Sequence, residues 1–385
     1  MSLRITALDF IGVAVTPKTN WCFLLLRTEA GITGLGECTL ADQETLLAAE
    51  AARLAGVVVG QDALSRNRLA RLLPHAPGGL VAHTVLSGFE QALWDVAAQA
   101  AGQPIHAALG GALRDTIPLY ANINRGTNPR TPEGFAAAAV RALADGFRAV
   151  KLAPFDPIVW EDAAAPGWRA GYAAGLARIA AVRTAIGPDV GLMVDAHWRF
   201  SPGGAAALIR DLAPFALFWL ECPVAEANHA EIRRLRGMAN DRGMRLAGAE
   251  TLSGLAAYRP LIERGCYDVL MPDIKHCGGH EEMRRIAALA LTAGVEVAPH
   301  NPTGPACHAH SLHACATLPN LLPLEVQFGE TQRFFTLCHG VPLAFHDGAA
   351  ALPMQPGLGI ELDVEAARAM PWQPQPVAWI DPRLG

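Results

Sequence analysis

The chain has 385 residues, enough for two domains and a large core. Hydrophobic residues make up 51% of it and charged residues only 17%, which argues against disorder and for an extensively buried α/β interior. A net charge of −5 gives no overall basic character to attract nucleic acid or an anionic membrane.

No run of about 18 apolar residues is free of charges or turn breakers, so no membrane span is expected. The N-terminus, MSLRITALDF, alternates like a strand and has no signal-peptide apolar region. Eight scattered cysteines without a CxxC fit a reduced, cytoplasmic protein better than a disulfide framework. In residues 1–115, RITALDFIGVAV and WCFLLLRTEAGITGLGEC read as antiparallel strands. LSGFEQALWDVAAQAAG reads as an amphipathic helix, with Leu86, Phe89, Leu93, Val96 and Ala97 at helical spacing and Gly102 ending it. This is an α+β domain.

From residue 116 to residue 345 the chain becomes rhythmic. IPLYAN is a strand, followed by the helix TPEGFAAAAVRALADG with a Thr cap and a Gly stop. FRAVKL is the next strand, and GLARIAAVRTAIG the next helix. Then come VGLMVD, FALFWLE, MRLAGAE, YDVLMPD, VEVAPH and LLPLEV, with helices between them. Eight strands alternating with helices predict a (β/α)8-type barrel, of the TIM class, behind an N-terminal α+β capping domain. An open doubly wound sheet is the alternative. Residues 346–385 hold a Pro- and Gly-rich stretch that reads as a return segment to the first domain rather than a ninth unit.

Asp195, Glu221 and Glu250 end three successive apolar runs. Parallel strands joined by helices put their C-terminal ends on one face, so the three acids converge. Hard oxygen donors with positions left open for water or substrate describe a Mg²⁺ site. Lys151, Asp273, His300 and Glu325 stand at further strand ends, on the same expected face.

The motifs LMVDAH, LECP, GAETLSG, LMPDIKHCGG, APHNPTGP, LEV and PGLGIELD, in this order, resemble the mandelate racemase/muconate lactonizing enzyme-like branch of the enolase superfamily. The resemblance covers nearly the whole chain. It implies a capping domain, a modified barrel and one Mg²⁺ held by Asp195, Glu221 and Glu250. The implied shared step is removal of a proton α to a carboxylate. The resulting enediolate is stabilised by the metal as a Lewis acid, with Lys151 adding positive charge. By the same resemblance, Glu325 hydrogen-bonds the substrate carboxylate when protonated, and Asp273 and His300 form the base dyad. In such a dyad the carboxylate on one imidazole nitrogen fixes the tautomer and raises the basicity of the other.

Departures narrow the activity. Many relatives carry Lys-x-Lys after the second strand, but here the triplet is Lys151-Leu152-Ala153, and Ala153 takes no proton. Asp195-Ala196-His197 instead resembles the Asp-x-His of sugar-acid dehydratases, whose His protonates a leaving hydroxyl. Period-two alternation puts His197 on the side of Asp195 if the extended geometry continues. Lys275, two residues past Asp273, reads as a loop residue. The cluster CHAHSLHAC (Cys307, His308, His310, His313, Cys315) lies in a helix where its members are expected to spread around the surface, so it is not read as a second metal site. GITGLGE is not read as dinucleotide-binding, because no helix follows it.

The expectation is a Mg²⁺-dependent dehydratase of a sugar acid, an aldonate or aldarate, giving a 2-keto-3-deoxy acid. The alternatives are a racemase, epimerase or cycloisomerase on the same scaffold, and a catalytically silent binding or regulatory protein. Candidate substrate contacts are Lys18, Thr19 and Trp21 in the capping domain and Asn122, Asn124, Arg125 and Asn301 at the barrel mouth. A homo-oligomer is the family's habit.

Overall fold

The computed structural model describes residues 2–72, 79–156, 158, 160–340 and 344–372. Residues 373–385, read above as part of the return segment, lie outside the described residues.

The first domain is an antiparallel sheet of β1 (Ile5–Thr16), β2 (Thr19–Thr28) and β3 (Thr33–Glu37), with β2 in the centre. It carries α1 (Glu44–Val58), α2 (Arg66–Leu72), α3 (Gly79–Ala100) and the short α4 (Ile105–Ala108). Strand β2 is covered on both faces, and the period of two sorts its side chains between two cores. Trp21, Phe23 and Leu25 join the core shared with the barrel, whereas Cys22, Leu24 and Leu26 pack under the domain's own helices. The glycines of GITGLGE serve close packing. A Cβ on Gly34 would lie 2.2 Å from the Ala92 carbonyl oxygen, and one on Gly36 would lie 1.9 Å from that of Gly88, both on α3.

The second domain alternates as the rhythm predicts. It comprises β4 (Thr116–Asn122), α5 (Pro132–Ala144), β5 (Ala149–Leu152), α6 (Trp168–Ile186), β6 (Gly191–Asp195), α7 (Pro202–Leu212), β7 (Trp219–Glu221) and α8 (His229–Asn240). The sequence continues with β8 (Arg245–Gly248), α9 (Leu255–Glu263), β9 (Val269–Leu270), α10 (Gly279–Thr292), β10 (Glu296–Val297), α11 (Pro305–Ala316) and β11 (Leu324–Gln327). Strands β4 to β10 pair in parallel in chain order, and β11 pairs in parallel with β4. A parallel bridge between Val297 and Leu321 completes the ring, so the sheet is a closed eight-stranded barrel and not an open one. Local signals set the helix ends. Thr131 caps α5 by accepting from the Gly134 amide, Ser201 caps α7 in the same way, and Gly187 ends α6 at φ 76°.

Helix α11 corrects one expectation. Every residue from Pro305 to Ala316 is buried, so Cys307, His308, His310, His313 and Cys315 belong to the core and not to a surface. Several of the ring nitrogens pair with one another or with the backbone. His310 Nδ1 is 2.9 Å from His280 Nε2, His313 Nδ1 is 3.0 Å from His106 Nδ1, and His310 Nε2 is 2.8 Å from the Leu35 carbonyl oxygen. Burial lowers all three α11 histidines, to about 3 for His308 and His313 and about 4 for His310.

The chain closes with α12 (Arg333–Thr336), β12 (Cys338–Gly340), β13 (Phe345–His346), β14 (Ala349–Ala351), β15 (Ile360–Leu362) and α13 (Val364–Arg368). Strand β14 pairs antiparallel with the start of β4, and the Ala14 amide of β1 donates to the Met370 carbonyl at 2.9 Å.

Candidate metal and acid–base site

Alternation along the barrel strands builds the site. Tyr120, Met193, Trp219, Met271 and Ala298 fill the barrel interior. Two residues further on, the same faces carry Asn122, Asp195, Glu221, Asp273 and His300. Glu250 breaks this rule, since its strand's interior residue is Ala247. Ala249 adopts φ 76°, a left-handed turn that re-aims the next side chain inward. Its carbonyl accepts from Tyr258 Oη at 2.8 Å and its amide donates to the Glu226 carboxylate, so the turn is held from both sides.

Asp195, Glu221 and Glu250 are buried and offer ligand oxygens all within 4.8 Å of one another. Octahedral Mg²⁺ coordination places neighbouring oxygens about 3 Å apart, so a modest contraction forms the set. Burial, against the pull of Lys151, pushes Glu221 up to about 7. Burial and then the neighbouring carboxylates raise Glu250 well above the usual range. Asp195 goes the other way, to about 2, because the His197 imidazole outweighs its burial. Two of three crowded acids thus favour protons, and a divalent cation would take the place of those protons. The donor set fits such a cation.

Lys151 stands behind the triad. Its ammonium is 2.7 Å from Glu221 Oε1 and 2.9 Å from Glu325 Oε1, with almost no exposure. Burial opposes its charge, but Glu221 and Glu325 prevail and raise it well above the ordinary lysine value. Glu325 also accepts from Asn122 Nδ2 at 2.7 Å and from the Asn301 amide at 3.1 Å. Despite its burial, Lys151 holds it below the usual carboxyl value. In this geometry three donors face Glu325, and they favour its ionised form. The other oxygen of Glu221, Oε2, accepts from Trp219 Nε1 at 2.9 Å. Sequence reasoning passed over Trp219, although its place two residues before Glu221 on one strand was the available signal.

Asp273 and His300 come together as a dyad, with His300 Nδ1 2.7 Å from Asp273 Oδ2. His300 Nε2 lies 3.7 Å from Glu250 Oε2, so the free nitrogen faces the acid triad. Burial lowers His300 even though Asp273 draws it up, which leaves the imidazole neutral at pH 7. Lys275, read above as a loop residue, does lie in the turn after β9, but it is buried and its ammonium pairs with Asp273 Oδ2. An acid and a lysine two apart, past a strand end, were the only sequence trace of that pairing.

His197 reaches Asp195 by a different route from the expected one. The strand does not stay extended. His197 and Trp198 have φ 44° and 55°, and the turn folds the imidazole back until Nε2 is 2.7 Å from Asp195 Oδ2. Burial opposes protonation, but Asp195 outweighs it and raises His197. Barrel strands β6 and β10 are the third and seventh of eight, so His197 and His300 stand on opposite walls with the acids between them.

The expected substrate contacts divide. Lys18 is exposed in the β1–β2 turn. Thr19 Oγ1 donates to Glu330 Oε1 at 2.5 Å, and Glu330 Oε2 pairs with Arg125 at 3.5 Å, closing capping loop onto barrel mouth. Trp21 is buried, edge-on to Phe334. Asn124 accepts from Arg130 through both its carbonyl and its side chain. The Asn301 amide is taken up by Glu325, His308 and Ser311, and Asn122 by Glu325 and the Asn124 amide, so both brace strand ends.

The chain is similar to known proteins over nearly its whole length. Residues 10–110 match the family described as mandelate racemase / muconate lactonizing enzyme, N-terminal domain, and residues 134–367 match enolase C-terminal domain-like. A D-galactonate dehydratase family member from Streptomyces bingchenggensis is 32% identical, over 94% of this chain and 93% of that protein. D-galactonate dehydratase from Xanthomonas axonopodis pv. citri is 31% identical, over 90% of each. Among solved structures, a mandelate racemase/muconate lactonizing enzyme-like protein from Rubrobacter xylanophilus superposes with a TM-score of 0.88 at 28% identity, covering 98% of this chain and all of that one. Among the described residues no helix is long and apolar enough to cross a membrane.

Proposed function

The chain belongs to the mandelate racemase/muconate lactonizing enzyme family of the enolase superfamily, and from that premise we propose that it is a Mg²⁺-dependent sugar-acid dehydratase. D-galactonate, named for its relatives, is the first substrate to test. The observation that carries this reading is the pair of histidines on opposite walls, one tied to Asp195 and one to Asp273.

A Mg²⁺ held by Asp195, Glu221 and Glu250 would supply Lewis acidity at the substrate carboxylate. The protein's own groups do the rest. His300 takes the C2 proton on Nε2, while its Nδ1–H remains on Asp273 and steadies the imidazolium that forms. His197, whose proton Asp195 helps to retain, gives it to the 3-hydroxyl, so that water leaves. Hydroxide alone is a poor leaving group. With base and acid on opposite walls, the proton and the hydroxyl depart from opposite faces. The enol then tautomerises to a 2-keto-3-deoxy acid. Lys151 holds Glu221 and Glu325 in place beneath the reacting carboxylate and opposes their protonation. Ala153 offers no second base for racemisation. We place the enzyme in the cytoplasm, where its eight free thiols stay reduced, as a homo-oligomer after its family.

The test is NMR of D-galactonate, then of an aldonate and aldarate library, in D₂O with Mg²⁺. The native enzyme is expected to yield a 2-keto acid deuterated at C3. His197→Asn is expected to block water loss yet exchange the C2 proton. Formation of a C2 epimer by the native enzyme without any keto acid defeats the dehydratase reading.

A further inference from the structure

The mechanism above gives no task to the buried charge of Lys275. Lys275 lies in the turn after β9, with a fractional exposure of 4%. A buried ammonium is costly to desolvate, and an ion pair in that setting adds little to stability over an apolar pair of the same volume. Its presence calls for another explanation.

Its contacts converge on one carboxylate. The Lys275 backbone N–H donates to Asp273 Oδ1 at 2.9 Å, and its ammonium donates to Oδ2. Oδ2 is also the oxygen that holds His300 Nδ1 at 2.7 Å. One residue therefore grips both oxygens of Asp273 and prevents the carboxylate from turning about its Cβ–Cγ bond. The grip is itself anchored. Along one face of α3, Gln91 Nε2 donates to the Ile274 carbonyl at 3.3 Å, Thr84 Oγ1 is 2.8 Å from His276 Nδ1, and Ser87 Oγ accepts from the Gly278 amide at 3.0 Å. The capping-domain helix thus fixes the turn on both sides of Lys275.

We propose that Lys275 is a positioning residue of the general base: it locks Asp273 so that the His300 proton stays on Nδ1 and the Nε2 lone pair faces the substrate. This rests on the reading of His300 as the base. Without the ammonium, Oδ2 is free to swing, the proton is no longer tied to Nδ1, and a fraction of His300 carries it on Nε2, where it accepts nothing from C2.

The test uses full-length, Mg²⁺-loaded protein with Lys275→Met, which keeps the side-chain volume, and Lys275→Gln should the methionine form not fold. Formation of the 2-keto acid from D-galactonate is expected to fall roughly 10- to 100-fold in kcat, the range for loss of an orienting partner, with KM unchanged. A structural role alone would not move the second readout, the imidazole ¹⁵N pattern of ¹⁵N-histidine-labelled protein at pH 8, assigned with His300→Asn. The native protein is expected to show His300 as the Nδ1–H tautomer, and the variant a mixture. An Nε2–H tautomer in the native protein overturns the proposal, as does a variant with native kcat and an unchanged tautomer. If the native enzyme forms a 2-keto acid from no sugar acid, the dehydratase reading fails, but the tautomer measurement still decides the role of Lys275.

Discussion

Glu37→Gln is the most informative single substitution between the two domains. Glu37 ends β3 and is fully buried, yet all the partners of its carboxylate donate to it. Oε1 accepts from Thr39 Oγ1 at 2.8 Å, Thr303 Oγ1 at 2.7 Å and the Gly304 amide at 2.8 Å, and Oε2 accepts from the Cys307 amide at 2.9 Å. Three of these four donors belong to the loop and first turn that lead from His300 into α11. An amide in place of the carboxylate aims an N–H at one of these donors, which costs about 1–3 kcal/mol for the unsatisfied group. Removing an anion from a helix N-terminus costs about 0.3–2 kcal/mol more. Relief of the buried charge, which pushes the Glu37 carboxyl up, returns part of this. A net local loss of about 2–4 kcal/mol corresponds to roughly 30- to 900-fold faster opening. Hydrogen exchange at pH 7.5, followed on peptides covering residues 300–307 of the full-length protein, reads this directly and needs no two-state unfolding. Exchange within threefold of the native protein would refute the view that this carboxylate clamps the base-bearing segment.

The other predictions concern the site and the core. Glu250→Gln is expected to weaken Mg²⁺ binding by calorimetry and to abolish turnover, and full activity in chelator-treated protein would sink the metal assignment. His300→Asn should stop C2 exchange while the circular dichroism spectrum stays native; exchange at the native rate would move the base elsewhere. Lys151→Met should cost about 3–5 kcal/mol at pH 8 by urea denaturation, because Glu221 and Glu325 lose their shared cation. Without that cation both carboxyls sit above their unfolded values, so folding takes up protons and the loss should shrink by pH 5.5; an equal loss at both pH values contradicts the charge argument. His310 is lowered to about 4 by burial, so its contribution is full above the ordinary value near 6.5 and fades as pH falls toward 4. The urea midpoints of native protein and His310→Gln should therefore converge from pH 7 to pH 5, and a constant gap excludes this sign.

The barrel and its polar strand ends were legible because period-two alternation and strand–helix rhythm are local properties. Asp195, Glu221, Asp273 and His300 follow the interior residues two positions before them, so the sequence places them without any knowledge of distant contacts. Glu250 was found as the end of an apolar run, but its orientation depends on the left-handed turn at Ala249, which composition does not announce. The direction of His197 likewise depends on a turn and not on the extended strand assumed for it. The histidines of α11 were misplaced because polar side chains usually mark solvent, and their burial here is offset by partners far along the chain. The bond of Glu325 to Lys151 also joins distant residues and leaves no local pattern.

The carboxylates of the capping domain have a consequence for synthesis on the ribosome. Glu90 on α3 receives the amides of His280 and Glu281 at the start of α10, and Glu37 receives those of Gly304 and Cys307. These partners lie 190 to 270 residues downstream. At about 5–20 residues per second, the first domain waits roughly 10 to 50 seconds for them to emerge. During that interval the docking face presents ionised acids to water beside the apolar Trp21, Phe23 and Leu25. Charged acids stay hydrated and discourage premature association, and they become buried only when the matching helix ends arrive. The half of the barrel that bears the base is therefore completed last, by the oldest part of the chain.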